Sequence, residues 1–96
     1  MKIKTLENKR YSIITNDLTK CIICGRQKQN LHEVYFGNNR KNSMIYGCVI
    51  PLCINCHNQI HSNHQLDLYW KQKGQEAFIL TYPDKDFLSI FYKNYL

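Results

Sequence analysis

Apolar residues along this chain follow different rhythms in different segments. Residues 31–36, Leu-His-Glu-Val-Tyr-Phe, alternate well enough to predict a strand, and Gly37 closes it. Residues 48–52, Cys-Val-Ile-Pro-Leu, are apolar throughout and predict a second, buried strand. Pro51 confines that strand to a sheet edge or places it at the strand's end, because proline has no N–H for the ladder. Residues 42–46 predict one helical turn that Gly47 ends, and residues 55–61 predict a helix. Farther on, Leu66, Tyr69, Trp70, Ala77 and Leu80 recur at helical spacing. They predict a long helix with those side chains on its core face, weakened or bent at Gly74. Tyr82-Pro83 breaks the pattern, and Asp84 is placed to cap a last helix whose Phe87, Leu88, Phe91 and Tyr95 would pack inward. Near the start, the β-branched and aromatic run at residues 9–15 predicts a short strand or extended arm, with a turn at Asn16-Asp17. Strand, loop, strand, helix, then more helices is an α+β order. It predicts a small ββα module at about residues 20–62 under a helical cover at about 63–96, in one domain spanning 1–96.

A chain of 96 residues buries a limited core, and domains of this size often depend on a staple. Cys21 with Cys24, and Cys53 with Cys56, form two Cys-x-x-Cys knuckles, the usual way to gather four thiolates around one tetrahedral Zn²⁺. Disulfides would leave one of the five cysteines unpaired and would need an oxidising compartment. Residues 1–5 lack the apolar core of a secretory signal, which predicts a cytoplasmic protein with reduced thiols. The gap between the knuckles exceeds that of a common zinc ribbon, so a folded substructure must fill it. Cys48 lies in the apolar run and reads as a buried strand residue.

His57 and His61 follow the second knuckle. Four residues apart on a helix, they project from one face and can hold a second metal; the plain alternative is two solvated imidazoles. His32, between the knuckles, is a third candidate ligand, whereas His64 falls past the ligand face and should be exposed. No stretch approaches membrane-spanning length. Lysine plus arginine number 13 against 7 acids, giving a net charge of +6 and a pI near 9.1, which suits a nucleic-acid partner as well as simple solubility. Part of the charge is concentrated at Arg40-Lys41 in the polar loop 37–43, where a phosphodiester would dock. Arg40 is the strongest candidate because a guanidinium can grip phosphate through two donors.

With these residues in place, the chain resembles the HNH (His-Me finger) endonucleases, and more closely a group of small HNH proteins of bacteriophages and prophages. The similarity runs through residues 9–15, 21–25, 31–37, 39–43 and 46–53, then Cys56-His57, His61, and the tail from Phe87 to Leu96. It spans nearly the whole chain. The resemblance implies hydrolysis of DNA phosphodiester bonds with the help of a divalent ion, Mg²⁺, Mn²⁺ or another, at the scissile phosphate. A histidine at the end of the first strand takes a proton from the attacking water in this family.

By the same resemblance, His57 and His61 match the helix ligands and His32 matches the strand-end histidine. Family members carry two adjacent functional residues there, a ligand and then the base, and this chain has His32-Glu33. In direct register His32 is a ligand and Glu33 stands at the base position; shifted by one, His32 is the base. Strand neighbours point to opposite faces, so both serve one metal only if the strand end bends. A glutamate at its ordinary pKa is a weaker base than imidazole, and Glu33 could instead assist as a ligand or orient an imidazole. Asn39 and Asn42 are candidates for the family's central asparagine, and either also suits a turn. Asn39, Arg40 and Lys41 together form the candidate nucleic-acid contact. Two other classes fit the same residues. One is a catalytically inactive HNH-fold module that binds DNA or a protein, such as a phage inhibitor of a host defence system. The other is a purely structural zinc protein.

Overall fold

The computed structural model describes residues 2–96. In chain order these form α1 (Ile3–Asn8), β1 (Asn30–Glu33), a 3₁₀ turn (Gly37–Asn39) running into α2 (Arg40–Tyr46), β2 (Val49–Leu52), α3 (Ile54–Ser62), α4 (His64–Thr81) and α5 (Phe87–Phe91). The expected α+β order of hairpin strands followed by helices is present. β1 and β2 pair antiparallel, with Leu31 opposite Pro51, His32 opposite Ile50 and Glu33 opposite Val49. Among the described residues no helix is long and apolar enough to cross a membrane.

β1 is shorter than the apolar pattern of residues 31–36 suggests, and the reason is local. Val34 N–H still donates to the Cys48 carbonyl at 2.9 Å. Tyr35 N–H instead donates to the Ser43 hydroxyl at 3.1 Å, and that hydroxyl donates back to the Tyr35 carbonyl at 2.6 Å, so α2 captures the strand's end. Pro51 lies in β2 itself, buried, and its carbonyl accepts from Ile22 N–H at 2.9 Å, which lays the first knuckle along that edge. Cys48 is fully buried just before β2.

Residues 9–15 form an irregular arm and no strand. Ile13 N–H donates to the Gly47 carbonyl at 2.9 Å, and a Cβ on Gly47 would lie 2.5 Å from the Tyr11 ring. Gly47 ends α2 in the left-handed region at φ 74°, so this glycine serves both the helix stop and the close passage of the arm. α1 has one buried residue, Leu6, and is too short to show a helical period.

The core face of α4 differs from the predicted stripe. Gly74, Gln75 and Phe78 are buried, whereas Leu80 is 83% exposed and Tyr69 is 48% exposed. An apolar count passes over a glycine and a glutamine, yet these two face the core. Gly74 lies against the Tyr35 ring, where a Cβ would come within 2.7 Å of the phenolic oxygen. Gln75 fastens the C-terminal tail: its Nε2 donates to Asn94 Oδ1 (2.9 Å) and its Oε1 accepts from Tyr95 N–H (2.8 Å). α5 is capped by Asp86, not Asp84; Asp86 accepts from Leu88 N–H at 3.1 Å and from the Ser89 hydroxyl at 2.6 Å. That register buries Phe87 and Phe91 and turns Leu88 outward at 49% exposure. Phe87 and Phe91 pack on Tyr35 with ring centroids 5.3 and 4.5 Å away, so the helical cover meets the ββα module through aromatic edges and faces.

By helix propensity alone, Gly74→Ala should stabilise α4 by about 0.5–1 kcal/mol. Its Cβ would collide with the Tyr35 hydroxyl, which is held by donation to the Lys71 carbonyl. We therefore expect a net loss of about 1–3 kcal/mol in urea or thermal unfolding. Tyr35→Phe in the same chain removes the colliding oxygen and should recover part of that loss.

Candidate metal centres

Two clusters of ligand-type side chains stand out. Sulfurs of Cys21, Cys24, Cys53 and Cys56 all lie within 4.8 Å of one another, and so do ring nitrogens of His32, His57 and His61.

The thiols are brought together by two backbone devices. In the first knuckle Cys21 N–H donates to the Arg26 carbonyl (2.6 Å) and Gly25 N–H donates to the Cys21 carbonyl (2.9 Å), a turn that Gly25 permits at φ 77°. In the second, Cys53 is the N-cap of α3 and its sulfur accepts from Cys56 N–H at 3.5 Å. All five cysteines are free thiols. Cys24 and Cys53 sulfurs are 3.6 Å apart. Tetrahedral bonds of about 2.3 Å to one zinc would set two sulfurs about 3.8 Å apart, a spacing that the Cys24–Cys53 pair already approaches.

Protonation within the tetrad is uneven. Burial opposes ionisation of Cys21, but backbone N–H groups of Cys24, Cys53 and Ile23 outweigh it and bring the thiol down to about 6. Cys56 N–H likewise holds Cys53 below the ordinary cysteine range. Cys56 is pushed up, by burial first and then by the neighbouring thiols. Four thiolates this close repel one another unless a cation sits among them, so the donor set suits a structural Zn²⁺.

The imidazoles come from β1 and α3. His57 and His61 lie one turn apart on α3, with Nε2 atoms 3.1 Å apart. Tetrahedral bonds of about 2.0–2.1 Å to a single zinc-type ion would set two nitrogens about 3.3 Å apart. His32 supplies the third ring, with centroids 5.2 Å from His57 and 5.6 Å from His61. His32 is buried, His57 half-buried and His61 exposed, so the cluster opens to solvent at the end of α3. Burial, followed by the charges of His57, His61 and Lys71, drives the His32 imidazole down to about 3. His57 is lowered by burial and by His61, with Glu33 partly opposing. Both effects favour the neutral ring that a metal requires. His64 is exposed and outside the cluster.

Other residues singled out in the sequence have different partners. Glu33 lies outside the imidazole cluster: its Oε1 accepts from Arg10 Nη1 at 3.1 Å and pairs with Arg40 Nε at 3.3 Å. Arg40 is the first residue of α2 rather than a loop residue, and its Nη2 also pairs with Glu7 at 3.2 Å. Lys41 is exposed. Asn39 and Asn42 donate to the carbonyls of Phe91 (3.2 Å) and Ile90 (3.1 Å), tying α5 to α2.

Two residues bordering the imidazoles were not expected from the pattern. Phe36 is 44% exposed, with its ring 6.0 Å from His32 and 5.7 Å from His61. Lys71 places its ammonium 4.4 Å from the Phe36 ring centroid. Phe36 was absorbed into the predicted strand, and nothing in the sequence brings Lys71 to this place.

Zinc-loaded protein should bind two ions per chain by metal analysis, and His61→Ala should bind one with its circular dichroism unchanged. Cys53→Ser should abolish cooperative unfolding, because holo folding free energy in such sites is largely binding free energy. A single ion in the parent would confine metal binding to the sulfurs. For His32, whose pKa falls from 6.5 unfolded to about 3 folded, the sign is set by linkage. The unfolded chain binds the extra proton first. Stability tied to the neutral ring is therefore full above pH 6.5 and drains away as the pH falls toward about 3. In a chain carrying one zinc equivalent, with the sulfurs filled and the imidazoles free, urea melts across that window should show a shallower acid limb for His32→Gln than for the parent.

A scan against protein-family models, a search among curated proteins and a search among solved structures each returned no match. The chain thus stands on its own geometry as a ββα-type module with a four-cysteine and a three-histidine cluster, each able to coordinate a metal ion.

Proposed function

We propose that this chain is a metal-dependent endonuclease of the HNH type that hydrolyses DNA phosphodiester bonds, akin to the small phage and prophage proteins its sequence resembles. The observation that carries the reading is the convergence of His32 from β1 with His57 and His61 from α3 on one solvent-open position, beside but separate from the tetrathiolate cluster. Three protein ligands with room for a further one is the pattern of a reactive rather than a structural site. A divalent ion held there would offset the charge that builds on the phosphate and leaving oxygens of a phosphodiester under attack. All three donors are imidazole nitrogens. They suit Mn²⁺ better than Mg²⁺, which prefers oxygen ligands, and suit Zn²⁺ or Ni²⁺ better still.

The chain's own groups then divide the work. His32 is buried and converges with two further imidazoles, which favours the ligand role over the base role. Glu33 stands at the base position in direct register, and its pairing with Arg10 and Arg40 fits a group that orients its surroundings. Arg40 uses Nη2 and Nε on carboxylates, and its Nη1 makes no ion pair among the described residues, which leaves donors for a phosphate next to exposed Lys41. The same pinned carboxylate favours a second reading, a module that keeps the metals and binds DNA or a protein partner without cutting.

Supercoiled plasmid should be nicked or linearised with Mn²⁺, Ni²⁺ or Zn²⁺, and an EDTA control should stay intact. His61→Ala should lose this activity by orders of magnitude while keeping its fold, because it removes a ligand of the imidazole centre only. Cutting by His61→Ala at the parent rate would leave the binding module as the better reading. Arg40→Ala should weaken DNA binding and reduce the slope of log affinity against log salt by about 1.

A further inference from the structure

We propose that the hollow between α4 and the C-terminal tail, joined to the three-histidine centre through Lys71 and Phe36, is a subsite for one unstacked nucleotide of single-stranded DNA next to the bond being cut. The proposal rests on the phosphodiester reading above and extends it to the form of the substrate. Phe36 is its first support. A phenylalanine nearly half exposed beside the buried His32 and the exposed His61 contributes little to the core, and its ring lies 6.0 Å from the first and 5.7 Å from the second. An aromatic face at that position is a stacking surface for a base.

Lys71 is the second. Its ammonium lies 4.4 Å from the Phe36 ring centroid and 5.8 Å from that of Tyr95, so one cation bridges two rings. It also lines a cavity of 280 Å³ together with His64, Lys93, Asn94 and Tyr95. Lys93 Nζ stands 5.4 Å from the Tyr95 ring on the tail. The one carboxylate in the lining, Asp67, is already paired with Lys71 at 2.8 Å. Ring, cation, ring, cation is thus the sequence of groups leading away from the imidazoles. Lys71 is held by Asp67, whereas Lys93 makes no ion pair among the described residues and can meet a phosphate while a base meets the rings; a nucleotide carries both.

The tail that supplies Lys93, Asn94 and Tyr95 is fastened rather than loose. Gln75 bonds Asn94 and the Tyr95 backbone, and Gln72 Nε2 donates to the Tyr95 carbonyl at 2.9 Å. The wall is therefore in place before a ligand arrives. Base faces are already stacked in a duplex and are free only in a single strand or an extruded nucleotide. A hollow of 280 Å³ is far too small for a duplex and is of the order of a single small-molecule site.

The test uses exposed positions, so the fold is not at risk. Fluorescence anisotropy with a short labelled single strand and the matching duplex would be measured in the zinc-loaded His61→Ala chain. Phe36→Ala and Lys93→Ala added to that chain should each weaken single-strand binding about tenfold, leave duplex binding nearly unchanged, and Phe36→Trp should retain affinity. Plasmid cleavage by the parent and by the two variants is followed in parallel. If the parent cuts DNA but both variants bind single strand as tightly as their background, the subsite is wrong and the nuclease reading stands. If nothing cuts, yet Phe36→Ala loses single-strand binding selectively, the subsite stands as a binding site and the nuclease reading falls. Equal losses for single strand and duplex would reduce the hollow to a general basic surface, and no binding to either would overturn both ideas.

Discussion

The structure depends on one closure. Sulfurs from two segments, with Cys24 and Cys53 separated by 29 positions in sequence, must meet at the start of α3. A two-stranded ladder of four residues a side is marginal by itself in water. Zinc bound by four thiolates in peptides of this kind contributes on the order of 10–16 kcal/mol, as large as the whole net stability of an ordinary domain, about 5–15 kcal/mol. With a cation among the sulfurs, the first knuckle is pressed along β2 and the start of α3 is fixed in angle. Without one, four thiols at this separation hold little together.

The imidazole centre inherits its geometry from that closure. Cys56 is followed at once by His57, so whatever fixes the second knuckle fixes the first helical ligand. β2 runs straight into Cys53, and the register of β1 against β2 sets His32 opposite Ile50, deep in the core, from where it reaches the helix. Glu33, next along the strand, gathers Arg10 from the arm and Arg40 from α2, and Arg40 in turn gathers Glu7 from α1. Sulfurs brace one end of the hairpin and this charge network braces the other.

Much of this was legible in the linear order of residues, and the reason is chemical. Metal-ligand residues are rare, are spaced by the geometry of a knuckle or a helical turn, and carry their partners' identity with them; Cys21, Cys24, Cys53, Cys56, His57 and His61 could be grouped from spacing alone. The α+β order followed from apolar runs punctuated by Gly37, Gly47 and Pro51. What stayed hidden depends on contacts between distant segments. Gly74 read as a weak point in a helix, but its bare Cα makes room for Tyr35. Leu80 read as core, yet Phe78, on another face of the same turn, is the residue that meets Phe87 and Phe91. Asp84 read as the cap of the last helix, and burial of Phe87 and Phe91 selects Asp86 instead. Arg40 read as a free cation because its carboxylate partners lie in α1 and β1. Phe36 and Lys71 meet because α4 packs against the segment that follows β1, where Gly74 also lies on Tyr35.

One consequence follows from where α3 begins and ends. Its nine residues run from the four sulfurs at the first turn to His61 in the last. Aligned peptide dipoles make the first end of such a helix partly positive and the last end partly negative. A Zn²⁺ held by the four thiolates would carry net negative charge at the positive end; a cation held by His57 and His61 would lie toward the negative end. Each alignment contributes about 0.3–1 kcal/mol. The helix is thus an electrical spacer polarised in the same sense by both sites, and reversing its direction in the fold would set both ions against it.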